Sequence, residues 1–593
     1  MRLFFLYGVV FCVAGLLLAD SAAAARMSSR SQRGKTISVL DYGARPDDGQ
    51  DDTKSVRDAI EACRQQPGAR LVFPKGVYDF FEASAKDRNA TSMTLDRYRN
   101  FTIIADGATW MFHGLVRPMT VGWCERIAIR GVTIDYERPP FSIGEVVESR
   151  KKYFDVTVFD AYPVRGGEPV QAFMDYDPET NLPRRGCVDV YHSVKKTELV
   201  EPQRLRVHLK RNVKMKTGAW VVLRHQVYQY NAFMFVDCSN VSLQNVTVYT
   251  APGMGLYARS CRNVSLDHFN VRIKPDSKRL MSTTADAVHF KACQGMVRLK
   301  NCIFEGMGDD AVNVGNCYVT IREIVDERTV VAAHRRGVPA TLEAKDRVEF
   351  LHPETLLSYA TGTVKTVEPA GQNNVYRIEM SRPLPKEIAK GHVLGNVTRV
   401  PKLQISKCTV RNNRARGFLI QTRNAVIEDC TFENCTFGGL WVMTEIVYFD
   451  EGVGTRNVVV RNNTFTNCNY AGPVGEGVLS IFAYLKDFAF PPKPGVHRNI
   501  VLENNTIRGS DNAGIFVAGA ENVVLRGNRI TDACRQPKSD PGRAAIYVMS
   551  TRQAAITGNH AVLDEQGEGC QAVLRFGPGC EKDTISVTGN EGF

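Results

Sequence analysis

Along most of this chain, short runs of Val, Ile, Leu and Phe are separated every few residues by Asn and Gly, the pattern of strands joined by tight turns. The runs recur at a fixed distance. The segment Cys238-Ser-Asn-Val-Ser-Leu-Gln-Asn-Val-Thr-Val248 returns 23 residues later as Cys261-Arg-Asn-Val-Ser-Leu-Asp-His-Phe-Asn-Val271, and Asn499-Ile-Val-Leu returns as Asn522-Val-Val-Leu, again 23 on. Gly417-Phe-Leu-Ile-Gln-Thr and Gly439-Leu-Trp-Val-Met-Thr stand 22 apart. A single period cannot bury its apolar face alone, whereas stacked periods share one continuous core. The pattern predicts an all-β fold, a right-handed parallel β-helix.

The repeat breaks twice, over residues 139–230 and 317–402, where hairpin-like alternation replaces the Asn-rich coils, as in Tyr153-Phe-Asp-Val-Thr-Val and Val375-Tyr-Arg-Ile-Glu-Met. Each stretch reads as a small antiparallel β-domain inserted between coils. The chain then divides into an N-terminal cap with first coils (36–138), inserted domain 1 (139–230), coils 231–316, inserted domain 2 (317–402) and C-terminal coils (403–593). In the cap, Asp52 or Thr53 can start a helix whose Val56, Ile60 and Cys63 share one face, closing the open end of the solenoid. Residues 1–25 read as a signal peptide: Arg2, a largely apolar run from Leu3 to Leu18, then Ser21-Ala-Ala-Ala-Ala25. The expected destination is the periplasm or the extracellular space, with no stable membrane insertion after cleavage, because the apolar run is short for a span.

The balance of 75 basic against 63 acidic residues gives a net charge of +12. The charges are dispersed, with no basic run and no aromatic RNA motif, which argues against nucleic acid as a partner. Sixteen cysteines, fifteen beyond the signal segment, first suggest a disulfide framework. Cys238, Cys261 and Cys293 occupy equivalent turn positions, and Cys302, Cys408, Cys430, Cys435 and Cys468 also lie in repeats, so most are expected as buried free thiols.

Three acids carry the chemistry: Asp286 in Thr-Ala-Asp-Ala-Val, and Asp309 with Asp310 in Met-Gly-Asp-Asp-Ala-Val. The separation 309 − 286 = 23 equals the repeat, which predicts Asp309 above Asp286, one strand spacing of about 4.8 Å away. An acidic doublet alone is more often a turn or a calcium loop. Here it is set between apolar strands with a third carboxylate one coil below, and clustered carboxylates raise at least one pKa. One acid kept protonated beside others kept charged is what glycosidic bond cleavage requires.

The combination resembles glycoside hydrolase family 110, the exported α-1,3-galactosidases. The resemblance is carried by Val39-Leu-Asp-Tyr-Gly-Ala44, both inserted domains, Asp286-Ala-Val-His-Phe-Lys-Ala-Cys293, Asn301–Val314 and Arg414-Ala-Arg-Gly-Phe-Leu-Ile-Gln-Thr422. It departs at Gly315-Asn316, where members of the family often carry His. The acids also look like those of polygalacturonases, but Gly-His-Gly is not evident and Arg272-Ile-Lys274 lies upstream of Asp286, in the wrong order. The resemblance implies an exo-acting, inverting hydrolase that releases terminal α-1,3-linked galactose from blood group B type or linear ends. It implies Asp309 as general acid and Asp286 with Asp310 as activators of water, at the 6.5–9.5 Å carboxyl separation typical of inversion. No metal and no cofactor is expected. Candidate sugar contacts on neighbouring coils are Arg259, His289, Lys291, Asn313, Arg416, Arg423, Trp441 and Glu445. Two other readings remain at this point: a pectinase-like hydrolase or lyase, and a non-catalytic glycan-binding adhesin.

Overall fold

A computed structural model describes residues 34–85, 90–334, 342–371, 374–472, 475–562 and 569–592; the expected signal peptide lies outside these residues. Parallel strands pair coil on coil into a 12-stranded sheet and a 24-stranded sheet, which together form the walls of the solenoid. Between them lies one apolar core that runs from Ile37 to Ala561. Alternation fills it. Along Val288–Lys291, Val288 and Phe290 belong to the core while His289 and Lys291 point out, and the same split recurs at Val312–Gly315 and Phe418–Ile420. Like sits on like in the interior: the Phe432 and Phe465 rings stack with centroids 4.6 Å apart. All the cysteines from Cys63 to Cys580 are free thiols, and Cys238, Cys261 and Cys293 are buried at successive corners.

The turns explain the asparagines. Asn424, Asn457, Asn499 and Asn522 have φ between 54° and 59°, a left-handed conformation that Asn tolerates better than other side-chain-bearing residues. The last three amides each donate to the one a coil earlier, at 2.8–2.9 Å. A second ladder, Asn463–Asn505–Asn528–Asn559–Asn590, is mostly buried, and each Nδ2 also reaches a backbone carbonyl. An amide suits this use because it donates and accepts at once.

The helix Thr53–Arg64 covers the N-terminal end with Val56, Ala59, Ile60 and Cys63 buried. Its start differs from expectation. Asp52 is the N-cap residue but its carboxylate accepts from the Arg45 and Asp79 backbone N–H groups, and Asp51 accepts from Thr53 N instead. Two bodies leave the solenoid. A seven-stranded antiparallel sheet runs between Phe141–Ser149 and Trp220–Arg224, and a closed six-stranded barrel between Tyr318–Ile324 and Val393–Asn396. Each has its own apolar core.

The buried ladder supports a prediction about stability. Asn528→Ala removes a rung bonded on both sides and leaves the Asn505 and Asn559 amides short of partners, a cost of about 2 kcal/mol. Thermal unfolding of the variant should show a lowered midpoint; an unchanged midpoint would mean that the ladder follows the fold without holding it.

Candidate active site

The acids sit at one corner of the 12-stranded sheet, each just before its strand. Val288 pairs with Val312, and Val312 with Phe418, so Asp286, Asp310 and Arg416 occupy one register position on three successive coils. The local coil is thus 24 residues long, since 312 − 288 = 24. This corrects the expected stacking of Asp309 on Asp286: Asp310 is the residue above Asp286, and Asp309 is set one place earlier, on the turn. Gly308 makes that turn possible, because a Cβ there would lie 2.3 Å from the Thr284 carbonyl oxygen of the coil below.

One oxygen from each of Asp286, Asp309 and Asp310 lies within 4.8 Å of the other two. That is closer than the 6.5–9.5 Å expected from the inverting template. Asp310 accepts from Arg416 through both oxygens, at 2.7 and 2.8 Å. Asp309 accepts from Arg414 at 3.1 Å and from the Tyr228 hydroxyl. Asp286 meets Nδ1 of His289 at 2.8 Å.

These partners set different charges on three like groups. Burial first, and then the negative charge of Asp309, push Asp286 well above the usual carboxylate range. Burial also raises Asp310; Arg416 pulls it back while Asp309 and Asp286 raise it, and it stands at about 7. Burial acts on Asp309 as well, but Arg414 and Arg416, the Tyr228 hydroxyl and Arg224 outweigh it and hold Asp309 below its usual range. His289 is driven down to about 4, first by burial and then by Lys291. The resting corner therefore pairs a protonated carboxyl with an ionised one, the division of labour that acid–base chemistry needs. The spacing of the three oxygens would also fit a cation, but two guanidinium groups already neutralise Asp309 and Asp310, a donor set suited to protons more than to a hard metal ion.

Sequence periodicity did not point to several of these partners. Asp189, Tyr191, Arg224 and Tyr228 all come from the stretch between the coils that contains the seven-stranded sheet. Arg224 is fully buried and donates to the Gly308 and Thr284 carbonyls at 2.8 and 3.2 Å, which fixes the turn carrying Asp309. Asp189 holds Arg414 at 2.7 Å. No repeat runs through that stretch, so nothing in the pattern singled these residues out. Arg414 was visible in the Arg-Ala-Arg motif, and Glu451 was not singled out at all.

The expected sugar contacts separate into two groups. His289, Lys291 and Asn313 are buried side chains on the outward face beside the acids, Arg416 stands over Asp310, and Arg259 pairs in register with Lys291 one coil below. Lys291 is bonded to Glu451 at 2.9 Å. The other three are corrections. Arg423 bonds Glu349 at 2.8 Å and the Gly454 carbonyl, fastening the barrel to the solenoid. Trp441 donates its indole N–H to the Gly477 carbonyl, and its ring is covered by Phe437, Phe482 and the Arg416 guanidinium, so it has no face open to a sugar. Glu445 spends both oxygens on the backbone N–H groups of Val447, Tyr448, Phe449 and Glu451, and so organises a loop.

Fold and corner together define a right-handed β-helix protein with three clustered carboxylates of unlike pKa at one corner. The model of the right-handed β-helix region matches residues 392–484 and 493–590. The chain is 28% identical over 435 residues to α-1,3-galactosidase B of Bacteroides thetaiotaomicron, covering 68% of this chain and 70% of that protein. With α-1,3-galactosidase B of Phocaeicola vulgatus it shares 25% identity over 573 residues, 89% of this chain and 95% of that one. The chain is thus a homologue of the α-1,3-galactosidases of glycoside hydrolase family 110. Among solved structures, the family 28 exopolygalacturonase of Yersinia enterocolitica superposes with a TM-score of 0.50 at 13% identity, over 94% of this chain and 78% of that one, a likeness of fold. Among the described residues no helix is long and apolar enough to cross a membrane.

Tyr228 offers a direct test of the electrostatics. Its hydroxyl helps to hold Asp309 low, so Tyr228→Phe should raise the Asp309 pKa and move the pH profile of kcat/KM toward higher pH. A profile superimposable on that of the parent would show that the hydroxyl does not tune Asp309.

Proposed function

We propose that this protein is an exported, exo-acting glycoside hydrolase that removes terminal α-1,3-linked galactose from glycans with inversion at the anomeric carbon. The observation that carries the reading is the corner itself: three carboxylates within 4.8 Å, two of them raised and one lowered in pKa. It is joined by homology to enzymes named α-1,3-galactosidase. Export rests on the signal-like residues 1–25, and the expected partner is a glycan ending in α-galactose.

In the reaction one carboxyl gives its proton to the glycosidic oxygen as the bond from the anomeric carbon breaks. Water attacks that carbon from the opposite face and passes a proton to another carboxylate. A water hydrogen-bonded at about 2.8 Å to two oxygens bridges a gap close to the one between these acids, so the short spacing does not by itself remove the water position. We assign the donor role to Asp309, whose side chain keeps 15% exposure and so faces incoming substrate. Asp286 and Asp310 then set the water. This assignment requires the proton shared by the cluster to pass to Asp309 when a sugar enters. The resting charges favour a second reading, with Asp286 as donor and Asp309 as base.

Leaving-group dependence separates the two. Asp309→Asn and Asp286→Asn should each lose at least about 100-fold in turnover on an unactivated α-galactoside. With a dinitrophenyl leaving group, which needs no proton, only the variant lacking the donor recovers. Near-parent activity of both variants on the unactivated substrate would remove the pair from catalysis.

Proton NMR of fresh product should show β-galactose before mutarotation, and early products of an α-1,3-galactosyl oligosaccharide should contain galactose alone. α-Galactose would mean retention, and internal fragments would mean an open groove. Dialysis against a chelator should leave turnover unchanged, because guanidinium groups already neutralise Asp309 and Asp310; loss of activity restored by a divalent cation would reverse that view.

A further inference from the structure

Beyond the acids, the outward face of the 12-stranded sheet carries buried polar atoms with no hydrogen-bond partner. Nε2 of His289, Oδ1 of Asn313, and both Oε1 and Nε2 of Gln421 are in this state. The three side chains are 8%, 6% and 1% exposed. His289 and Asn313 face each other across adjoining coils. Gln421 follows the strand Phe418–Ile420 on the next coil, and its backbone N–H donates to the Val314 carbonyl, which brings it beside Gly315. Buried polar groups are rarely left unsatisfied, and several together on one wall are the mark of a surface that completes its bonds with a ligand.

Gly315 shows how the wall is built. A Cβ at this position would lie 2.1 Å from Gln421 Oε1. Its φ is not in the left-handed range, so the backbone does not require glycine here. The bare position leaves room for the carboxamide. Along the strand direction the acids come first, then His289 and Asn313, then Gly315 with Gln421. His289 repeats that order in one ring, with Nδ1 on Asp286 and Nε2 directed away from it. A pyranose laid along the strands with its anomeric carbon at the acids would direct its far end toward Gln421, since the strands advance about 3.3 Å per residue in that direction. The far end of the ring is where galactose differs from glucose, at the axial 4-hydroxyl.

We propose that the Gln421 carboxamide is a specificity-determining contact, binding a hydroxyl at the end of the galactosyl ring farthest from the anomeric carbon. The inference rests on the galactosidase reading above. The carboxamide can donate to one hydroxyl oxygen and accept from another, a pairing that a hydrocarbon side chain cannot replace. A site built this way rejects a sugar lacking the matching hydroxyl, because its own polar atoms are then left bare.

The test is a coupling measurement on the full-length protein. Gln421→Leu removes the carboxamide, and Gly315→Ala displaces it while leaving it in the chain. kcat and KM are measured for parent and variants with an aryl α-galactoside and its 3-deoxy, 4-deoxy and 6-deoxy analogues, after melting curves confirm folding. In the parent, removal of the contacted hydroxyl should cost on the order of 10- to 100-fold in kcat/KM. In both variants the intact galactoside should fall by a similar factor, and the further penalty for that one deoxy analogue should vanish, while the other analogues keep theirs. Additive losses for all three analogues in a folded variant would overturn the contact. If Gln421→Leu does not fold, Gly315→Ala alone decides by the same criterion. A parent inactive on every α-galactoside would defeat the galactosidase reading itself, which is a different result from additivity in an active enzyme.

Discussion

Parallel stacking of equivalent positions is the constraint on which this molecule depends. Each strand hydrogen-bonds to its counterparts one coil away, so whatever one coil places at a corner is met by what the next coil places there, about 4.8 Å on. In the interior the rule puts Phe432 on Phe465 and closes the apolar column. At the turns it puts amide on amide. At one corner it puts Asp286, Asp310 and Arg416 in line, two acids and the cation that holds one of them. Like charges in register repel, and the structure meets that cost with guanidinium groups and with protons. Perturbed pKa values at this corner are a consequence of the architecture.

The same rule explains what the sequence disclosed. Apolar runs and corner asparagines repeat at 22 or 23 residues, so the β-helix could be read directly, and so could the proximity of Asp286 to the acidic doublet. The register within that corner could not, because the local coil is one residue longer than the repeat and a single residue in a turn leaves no mark on the alternation of its neighbours. Position on a coil likewise does not say where a long side chain ends. Glu445 turns onto its own loop, Arg423 reaches into the barrel, and Trp441 folds under Arg416, although all three stand on strands or corners near the acids. Residues from the seven-stranded sheet and its exit were invisible for a different reason: their contacts with the acids are long-range, and nothing periodic leads to them.

Two bodies outside the solenoid frame the corner. From one side come Asp189, Arg224 and Tyr228, which hold Arg414, the Gly308 turn and Asp309. On the other, the barrel meets the loop that Glu445 organises. Cys317, at the barrel's entrance, bridges to Glu451, whose carboxylate holds Lys291, while Glu349 takes Arg423. Both bodies thus reach residues around the acids.

The point of departure of the barrel has a consequence for how such a surface changes. Val314 and Ile420 pair directly although they stand 106 positions apart in the chain, so the coils close as if the intervening segment were absent. The entropy of closing a connection grows only with the logarithm of its length, about 0.6 kcal/mol for each doubling. A corner of this solenoid can therefore acquire, lengthen or exchange a whole domain at small thermodynamic cost, while the acids a few residues away keep their register.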